Sequence, residues 1–218
     1  MSRQAKISLA SVGVFALVLT SMLALTGMSE DPEPEPVSSG ESRLVRDDSR
    51  ILGERADTGV TFVEFLDFEC EGCRAAYPAI EQLRKDYAGR VTFVARYFPL
   101  GGHFNGERAA RAVEAAAQQG KFEEMYSKMF ETQAKWGEQR KPLDDLFASY
   151  AEDLGLDMKQ FKADYADPAT AKRIQKDVAD GEALGVQGTP TFFVDGKQLQ
   201  PQTYGDLTDA LDAALAQQ

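Results

Sequence analysis

Between Val60 and Phe68 the chain reads Val-Thr-Phe-Val-Glu-Phe-Leu-Asp-Phe. Two residues later it meets Cys70-Glu71-Gly72-Cys73, which holds the only two cysteines among 218 residues. A run so rich in β-branched and aromatic side chains, with so little polar alternation, predicts a strand covered on both faces. Helical periodicity takes over from about Cys70 to Tyr87 and is closed by Gly89. Val91–Tyr97 then repeats the strand character. Strand, helix and strand at this spacing predict a right-handed parallel unit, so the fold class is α/β. The cysteines fall in the first turn of its helix.

The flanking segments place that unit in a compartment. No charged residue occurs from Ile7 to Met28, about the ~20 residues that cross a bilayer as a helix. Arg3 and Lys6 precede the run, whereas Glu30, Asp31, Glu33 and Glu35 follow it. This asymmetry puts everything after Met28 outside the cytoplasm. A cleaved signal segment is the competing reading, but apolar cores of signals usually run only ~7–15 residues, and Ala24-Leu25-Thr26 makes a poor cleavage site. The expectation is a membrane anchor at 1–28, single-pass in the cell membrane. An acidic, Pro-rich linker follows at 29–50, either a stalk or a spacer of no tuned length. A globular domain at 51–218 lies on the extracytoplasmic side. A net charge of −11 repels phosphate backbones and argues against a nucleic-acid partner.

From about Phe104 to Leu184 the pattern is helical throughout. Phe122, Met125, Tyr126, Met129 and Phe130 share one stripe, as do Leu143, Leu146, Phe147, Tyr150, Ala151 and Leu154. Such stripes are core packing. Pro142 and Pro168 suit helix starts, and Gly120 and Gly155 suit ends. Gly188-Thr189-Pro190 leads into a short strand, Thr191–Val194. Asp195-Gly196 signals a hairpin, and Leu207, Ala210, Leu211, Ala214 and Leu215 mark a last amphipathic helix.

The cysteine spacing carries the chemistry. At positions i and i+3 of a helix's first turn, two sulfurs can approach closely enough to bond. Cys70, at the helix tip, faces unpaired N–H groups and the positive end of the dipole, which favour its thiolate. Cys73, one turn inside, is expected to be more buried and less acidic. Cys70 is therefore the sulfur that attacks or is attacked, and Cys73 resolves. An inert disulfide would close too short a loop to stabilise much. Structural zinc wants four ligands, and two cysteines with one histidine fall short. No metal or other cofactor is called for. In an exported chain, a single C-x-x-C pair reads as a redox-active center.

Phe65–Pro78, taken with Gly188–Val194 downstream, resembles the thioredoxin fold. The helical insertion at about 100–187, between the second strand and the Thr-Pro strand, makes the chain similar to the DsbA-like thiol–disulfide oxidoreductases. The likeness extends from Ile51 to Gln218. It implies that Pro190 is a cis-proline beside the Cys70–Cys73 pair, that Thr189 presents backbone to an extended client, and that Pro78 bends the first helix. It implies also that Glu64, an acid interrupting the apolar strand, accepts a proton from Cys73 through water. A carboxylate turned outward at the strand edge is the alternative.

The expected function is an extracytoplasmic oxidoreductase that introduces disulfides into secreted proteins through a Cys70 mixed disulfide. Its partners would be reduced or misoxidised secreted proteins and a membrane redox partner, and it would act as a monomer. Two alternatives remain at this point: a reductase or isomerase fed by a membrane electron donor, and a non-catalytic tethered folding helper. The strongest oxidants of the family carry Pro-His between the cysteines. Here Glu69 and Glu71 flank Cys70, which predicts a thiolate pKa above ~3.5 and a less oxidising couple, with Arg74 a partial offset. His103, the only histidine, is expected to be a solvated, idle residue of the loop after the second strand, with a catalytic role as the alternative because that loop can approach the active site in this fold.

Overall fold

The structure, a computed structural model, describes residues 42–218. The expected anchor at 1–28 and residues 29–41 of the linker lie outside the described residues. Among the described residues, no helix is long and apolar enough to cross a membrane.

Five strands, β1 (Arg50–Leu52), β2 (Thr61–Leu66), β3 (Thr92–Tyr97), β4 (Thr191–Val194) and β5 (Lys197–Leu199), form one sheet in the order β1-β3-β2-β4-β5. β2 and β3 run parallel, with Thr61 opposite Thr92 and Leu66 opposite Tyr97. The helix α1 (Glu71–Asp86) joins them, with Pro78 inside it. β4 returns antiparallel along the other side of β2, setting Phe192 opposite Glu64. Central β2 is buried on both faces, as its composition demands. Phe62 and Leu66 point into the larger core, whereas Val63 and Phe65 join a second cluster on the opposite face. The Asp195-Gly196 turn has positive φ at both residues, 45° and 84°, the twist that a two-residue hairpin needs.

Between β3 and β4 come α2 (Gly106–Ala117), α3 (Phe122–Trp136), α4 (Asp144–Asp153), α5 (Met158–Ala166) and α6 (Pro168–Ala183); α7 (Tyr204–Leu215) closes the chain. This is a thioredoxin fold with the expected helical insertion. The aromatic stripe of α3 is core. Phe130 lies 5.0 Å from the Phe68 ring and stacks on Tyr77 of α1 at 5.3 Å, and a buried Phe contributes about 1.5–3 kcal/mol. The insertion thus backs directly onto the helix that carries the cysteines. Pro168 opens α6. Pro142 opens nothing, because Leu143 intervenes as the cap and α4 begins at Asp144.

Residues 42–50, expected to be linker, instead pack against the domain. Leu44 and Arg46 are buried, and Arg50 begins an unexpected edge strand against β3. The reason is Arg96, fully buried in β3. Its guanidinium meets Asp177 and Asp180 of α6, and its Nη1 donates to the carbonyls of Arg43 and Leu44, each at 2.7 Å. Arg46 also bonds Asp180. A buried charge is tolerated only with such partners, and losing one costs about 3–5 kcal/mol. The charged composition of 42–50 looks like linker because it completes this network.

Candidate active site

α1 starts directly from β2 through the turn at Asp67–Cys70, and Cys70 is its N-cap, with extended backbone (φ −70°, ψ 122°). Cys70 retains 8% of its surface and Cys73 none; both are free thiols. The Cys70 thiol pKa is lowered from 9.0 to about 5. The largest cause is a hydrogen bond from the Cys73 thiol. Burial opposes it, while Thr189 and the backbone N–H groups of Cys73 and Gly72 add to it. These are donors a thiolate accepts at a helix tip. Cys73 moves the other way, well above its ordinary value. Burial is the main reason, followed by the bond to Cys70 and the charges of Glu64 and Cys70.

Across the cleft, the Thr189–Pro190 peptide bond is cis. Cys70 Sγ donates to the Thr189 carbonyl at 3.2 Å. The Thr189 hydroxyl is buried without another partner, which leaves it free to donate to the thiolate. Gly72 lies between these groups, and a Cβ there would stand 3.2 Å from Pro190 Cδ and 3.5 Å from Cys70 Sγ. That contact is tighter than side chains normally make, so the close approach of dithiol and proline depends on a glycine.

Glu64 does not turn outward. It shares the face of β2 with Phe62 and Leu66, the side of the core that holds Cys73, and is 3% exposed. Burial raises its pKa from 4.5 to about 8, and the charges of Cys70 and Glu81 add to the effect. Its Oε2 is buried without a hydrogen-bond partner.

The Cys70 value of about 5 lies above ~3.5, as expected, but Glu69, one of the two flanking acids, is engaged elsewhere. Glu69 is buried, and its carboxylate accepts from the backbone N–H groups of Asn105 (2.6 Å) and Glu138 (3.1 Å). Its charge is therefore met by peptide groups at the start of α2 and in the α3–α4 loop, not directed at Cys70. Arg74 is likewise engaged, donating to Gln133 at 2.9 Å. Three supporting residues escaped sequence reasoning. Gly72 carries no distinguishing signal within C-x-x-C. Gln133 continues the α3 stripe as a polar member and donates to the carbonyls of Phe68 and Cys70. Asp67, a second acid at the end of an apolar run, was a signal available beside Glu64. It is buried and holds the amides of Glu69 and Leu100, each at 2.8 Å, and His103 Nδ1 at 2.6 Å. His103 is thus not a free, solvated side chain.

A reactive thiol at a helix tip, a buried partner one turn away and a cis-proline facing them, all on this fold, define a thiol–disulfide oxidoreductase of the thioredoxin superfamily. The chain belongs to the thioredoxin family, whose model matches residues 46–213. A thioredoxin-like oxidoreductase from Silicibacter pomeroyi DSS-3 is 30% identical with a TM-score of 0.67, over 81% of this chain and 98% of that one. DsbA from Xylella fastidiosa, 22% identical, shares the fold with a TM-score of 0.63 over 75% and 90%. Among curated proteins, the Na(+)/H(+) antiporter NhaA 1 of Mycolicibacterium vanbaalenii is 34% identical over 217 residues, covering 96% of this chain but 34% of the antiporter. The chain spans about a quarter to a third of the length of such relatives.

Proposed function

We propose that this protein is a membrane-tethered, extracytoplasmic oxidase that passes its Cys70–Cys73 disulfide to reduced or misoxidised secreted proteins. The observation that carries this reading is the opposition between an acidic Cys70 and a weakly acidic, sealed Cys73. A thiolate near pH 5 stabilises the reduced pair, and whatever stabilises the reduced pair makes the disulfide a stronger oxidant. The value of about 5 lies between the ~7 of thioredoxin and the ~3.5 of DsbA.

In the forward direction a client thiolate attacks Cys70 Sγ, the Cys70–Cys73 bond breaks, and Cys73 leaves with the electron pair. Cys73 then takes a proton, and Glu64, protonated at neutral pH, supplies it through a water. A second client thiolate attacks the client sulfur of the mixed disulfide and expels Cys70, a good leaving group at its low pKa. The client gains one disulfide, and its two electrons rest on the Cys70–Cys73 dithiol. A membrane-borne acceptor such as a quinone-linked partner would remove them. Thr189 and Pro190 would cradle the extended client beside Cys70.

The tether rests on the apolar run at 7–28 and its flanking charges. The alignment with the M. vanbaalenii antiporter, a protein that works across a membrane, covers 96% of this chain and so extends into that N-terminal region. The deciding experiment is equilibration of the purified protein with glutathione buffers, together with turnover on a reduced, unfolded test protein. A potential well above that of thioredoxin and net formation of client disulfides are expected. A potential at or below that of thioredoxin would favour the reductase direction, and failure either to make or to break disulfides would overturn the reading.

A further inference from the structure

Arg74 sits one turn above Cys70 on the same side of α1, its amide donating to the Cys70 carbonyl at 3.1 Å. The side chain is exposed but fixed. Its Nε donates to Gln133 Oε1 at 2.9 Å, and the amide nitrogen of the same Gln133 holds the Cys70 carbonyl at 2.8 Å. Gln133 is 2% exposed, so the guanidinium is mounted on the core of the insertion. Nη1 and Nη2 meet no partner among the described residues. Gly72, two residues earlier and so about 200° around the helix, faces Pro190 instead. The reactive turn therefore lies between two unlike walls: the neutral Thr189–Pro190 backbone on one side, and Arg74 with the end of α3 on the other.

The second wall carries further cations. Lys135, in the last turn of α3, and Arg140 and Lys141, in the loop after it, are exposed. Among the described residues, neither they nor Arg74 pair with a carboxylate. Cations elsewhere on the insertion do: Arg111 with Glu107, Lys121 with Glu124 and Lys128 with Asp153. The loop is fastened to the dithiol turn, because Glu69 accepts the Glu138 amide at 3.1 Å and Asn105 Nδ2 donates to the Gln139 carbonyl at 2.7 Å. Glu138 is held there at φ 61°, a left-handed backbone uncommon for a residue with a side chain. The exposed acids nearby are Glu71, Glu131 and Glu138, so the net charge of the wall is small and selection has to come from geometry.

We propose that Arg74 is a specificity-determining residue: its fixed guanidinium takes a client carboxylate beside the exchanging cysteine, so the protein favours client cysteines flanked by Asp or Glu. Lys135, Arg140 and Lys141 extend the contact. The proposal deepens the reading above and rests on Cys70 being the exchanging sulfur. A guanidinium held at Nε keeps its two terminal nitrogens as a planar fork for a carboxylate. Fixing it in advance removes the ordering cost that makes most surface ion pairs weak. With a net charge of −11 the chain repels acidic clients at long range, so the recognition is by position. The fork stands one turn from the sulfur, where a client has to come to react, and that makes a client carboxylate its occupant in preference to a lipid headgroup.

The test uses the full chain in detergent and two synthetic peptides that differ only beside their cysteine, Glu-Cys-Glu against Gln-Cys-Gln, each made also with serine in place of cysteine. NMR titration gives the affinities of the serine peptides. The rate at which the reduced cysteine peptides open the oxidised Cys70–Cys73 pair gives the exchange. Comparing the acidic-to-neutral ratio in the wild type and in Arg74→Gln cancels any effect of Arg74 on Cys70 and of the glutamates on the peptide thiol. Both ratios should be about three- to tenfold higher in the wild type at low salt and should shrink at about 0.5 M salt. Arg74→Lys, which keeps the charge and loses the fork, should recover only part. Ratios unchanged by Arg74→Gln overturn the proposal, including the case in which that variant loses binding to anionic lipid vesicles instead. Serine peptides that bind the wild type equally overturn it as well, whatever becomes of the variants. Discrimination in affinity without any exchange retains this proposal and loses the proposed function, whereas exchange with ratios independent of Arg74 does the reverse.

Discussion

The side-chain amide of Gln133 stands 2.8 Å from the carbonyl of Cys70, reaching from the far part of α3 into the first turn of α1. The same nitrogen donates to the Phe68 carbonyl at 2.7 Å, and the amide oxygen accepts Arg74 Nε. One buried side chain therefore ties the helical insertion to both sides of the dithiol turn. Gln133→Leu removes all three bonds at nearly constant volume and leaves the partners short of a bond. It should destabilise the protein by about 1–3 kcal/mol, read as a lower urea midpoint at unchanged slope. An unchanged midpoint would mean the clamp carries no weight.

Cys70 should titrate near pH 5 by thiolate absorbance. Cys73→Ala, which deletes the largest favourable cause, should move that titration upward and should trap clients as stable mixed disulfides. Because the folded pKa lies below the ordinary 9.0, the thiolate stabilises the reduced fold fully above about pH 9, and the contribution is lost as pH falls through about 5. The melting temperature of the reduced wild type, compared with Cys70→Ser, should rise between those limits. A flat difference would contradict the assignment.

What the sequence revealed and what it concealed follow from the range of the interactions. β2, α1 and β3 were legible because each is specified by its own composition, and the hairpin because Asp195-Gly196 needs no distant partner. The cysteine asymmetry was legible for the same reason: it depends on position within one helical turn. β1 stayed hidden in a charged segment whose order depends on Arg96, 50 residues away in sequence from Arg46 and meeting the same Asp180. Adjacency in sequence suggests a Glu69 charge beside Cys70, whereas the fold brings that carboxylate the N–H groups of Asn105 and Glu138. Gln133 likewise acquires its role, and Asp67 its hold on Leu100 and His103, from contacts made 33 to 65 residues away in sequence.

Glu64→Gln removes the proton that Cys73 exchanges while keeping the shape of the side chain. Single-turnover exchange should slow by about a hundredfold, the low end for a positioned acid or base, with Cys73 the slow step. The variant should also change the pH response of the fold. Burial raises the wild-type pKa to about 8 from 4.5, so the folded protein holds a proton the unfolded chain releases, and stability falls as pH rises from about 4.5 to 8. Glu64→Gln in a Cys70→Ser background, where the opposing thiolate contribution is absent, should be flatter across that window and more stable at its upper end. Parallel profiles would rule out a buried, proton-holding acid.

Gly72→Val tests whether the cleft between Cys70 and Pro190 is where clients lie. The new Cβ would meet Pro190 Cδ at 3.2 Å, Cys70 Sγ at 3.5 Å and the Thr189 carbonyl at 3.7 Å, and its two methyl groups would fill the approach above the sulfur. Gly72 is exposed and helical, and Val is if anything a better helix former than Gly, so the folding cost is confined to the Pro190 contact, which must give by a few tenths of an ångström. Displacing an extended client from the sulfur by even an ångström costs on the order of a hundredfold. A small disulfide such as oxidised glutathione can approach from other directions. Exchange with a protein client should therefore fall at least about tenfold further than exchange with glutathione. Equal losses for the two would place the client elsewhere and reduce Gly72 to a packing requirement.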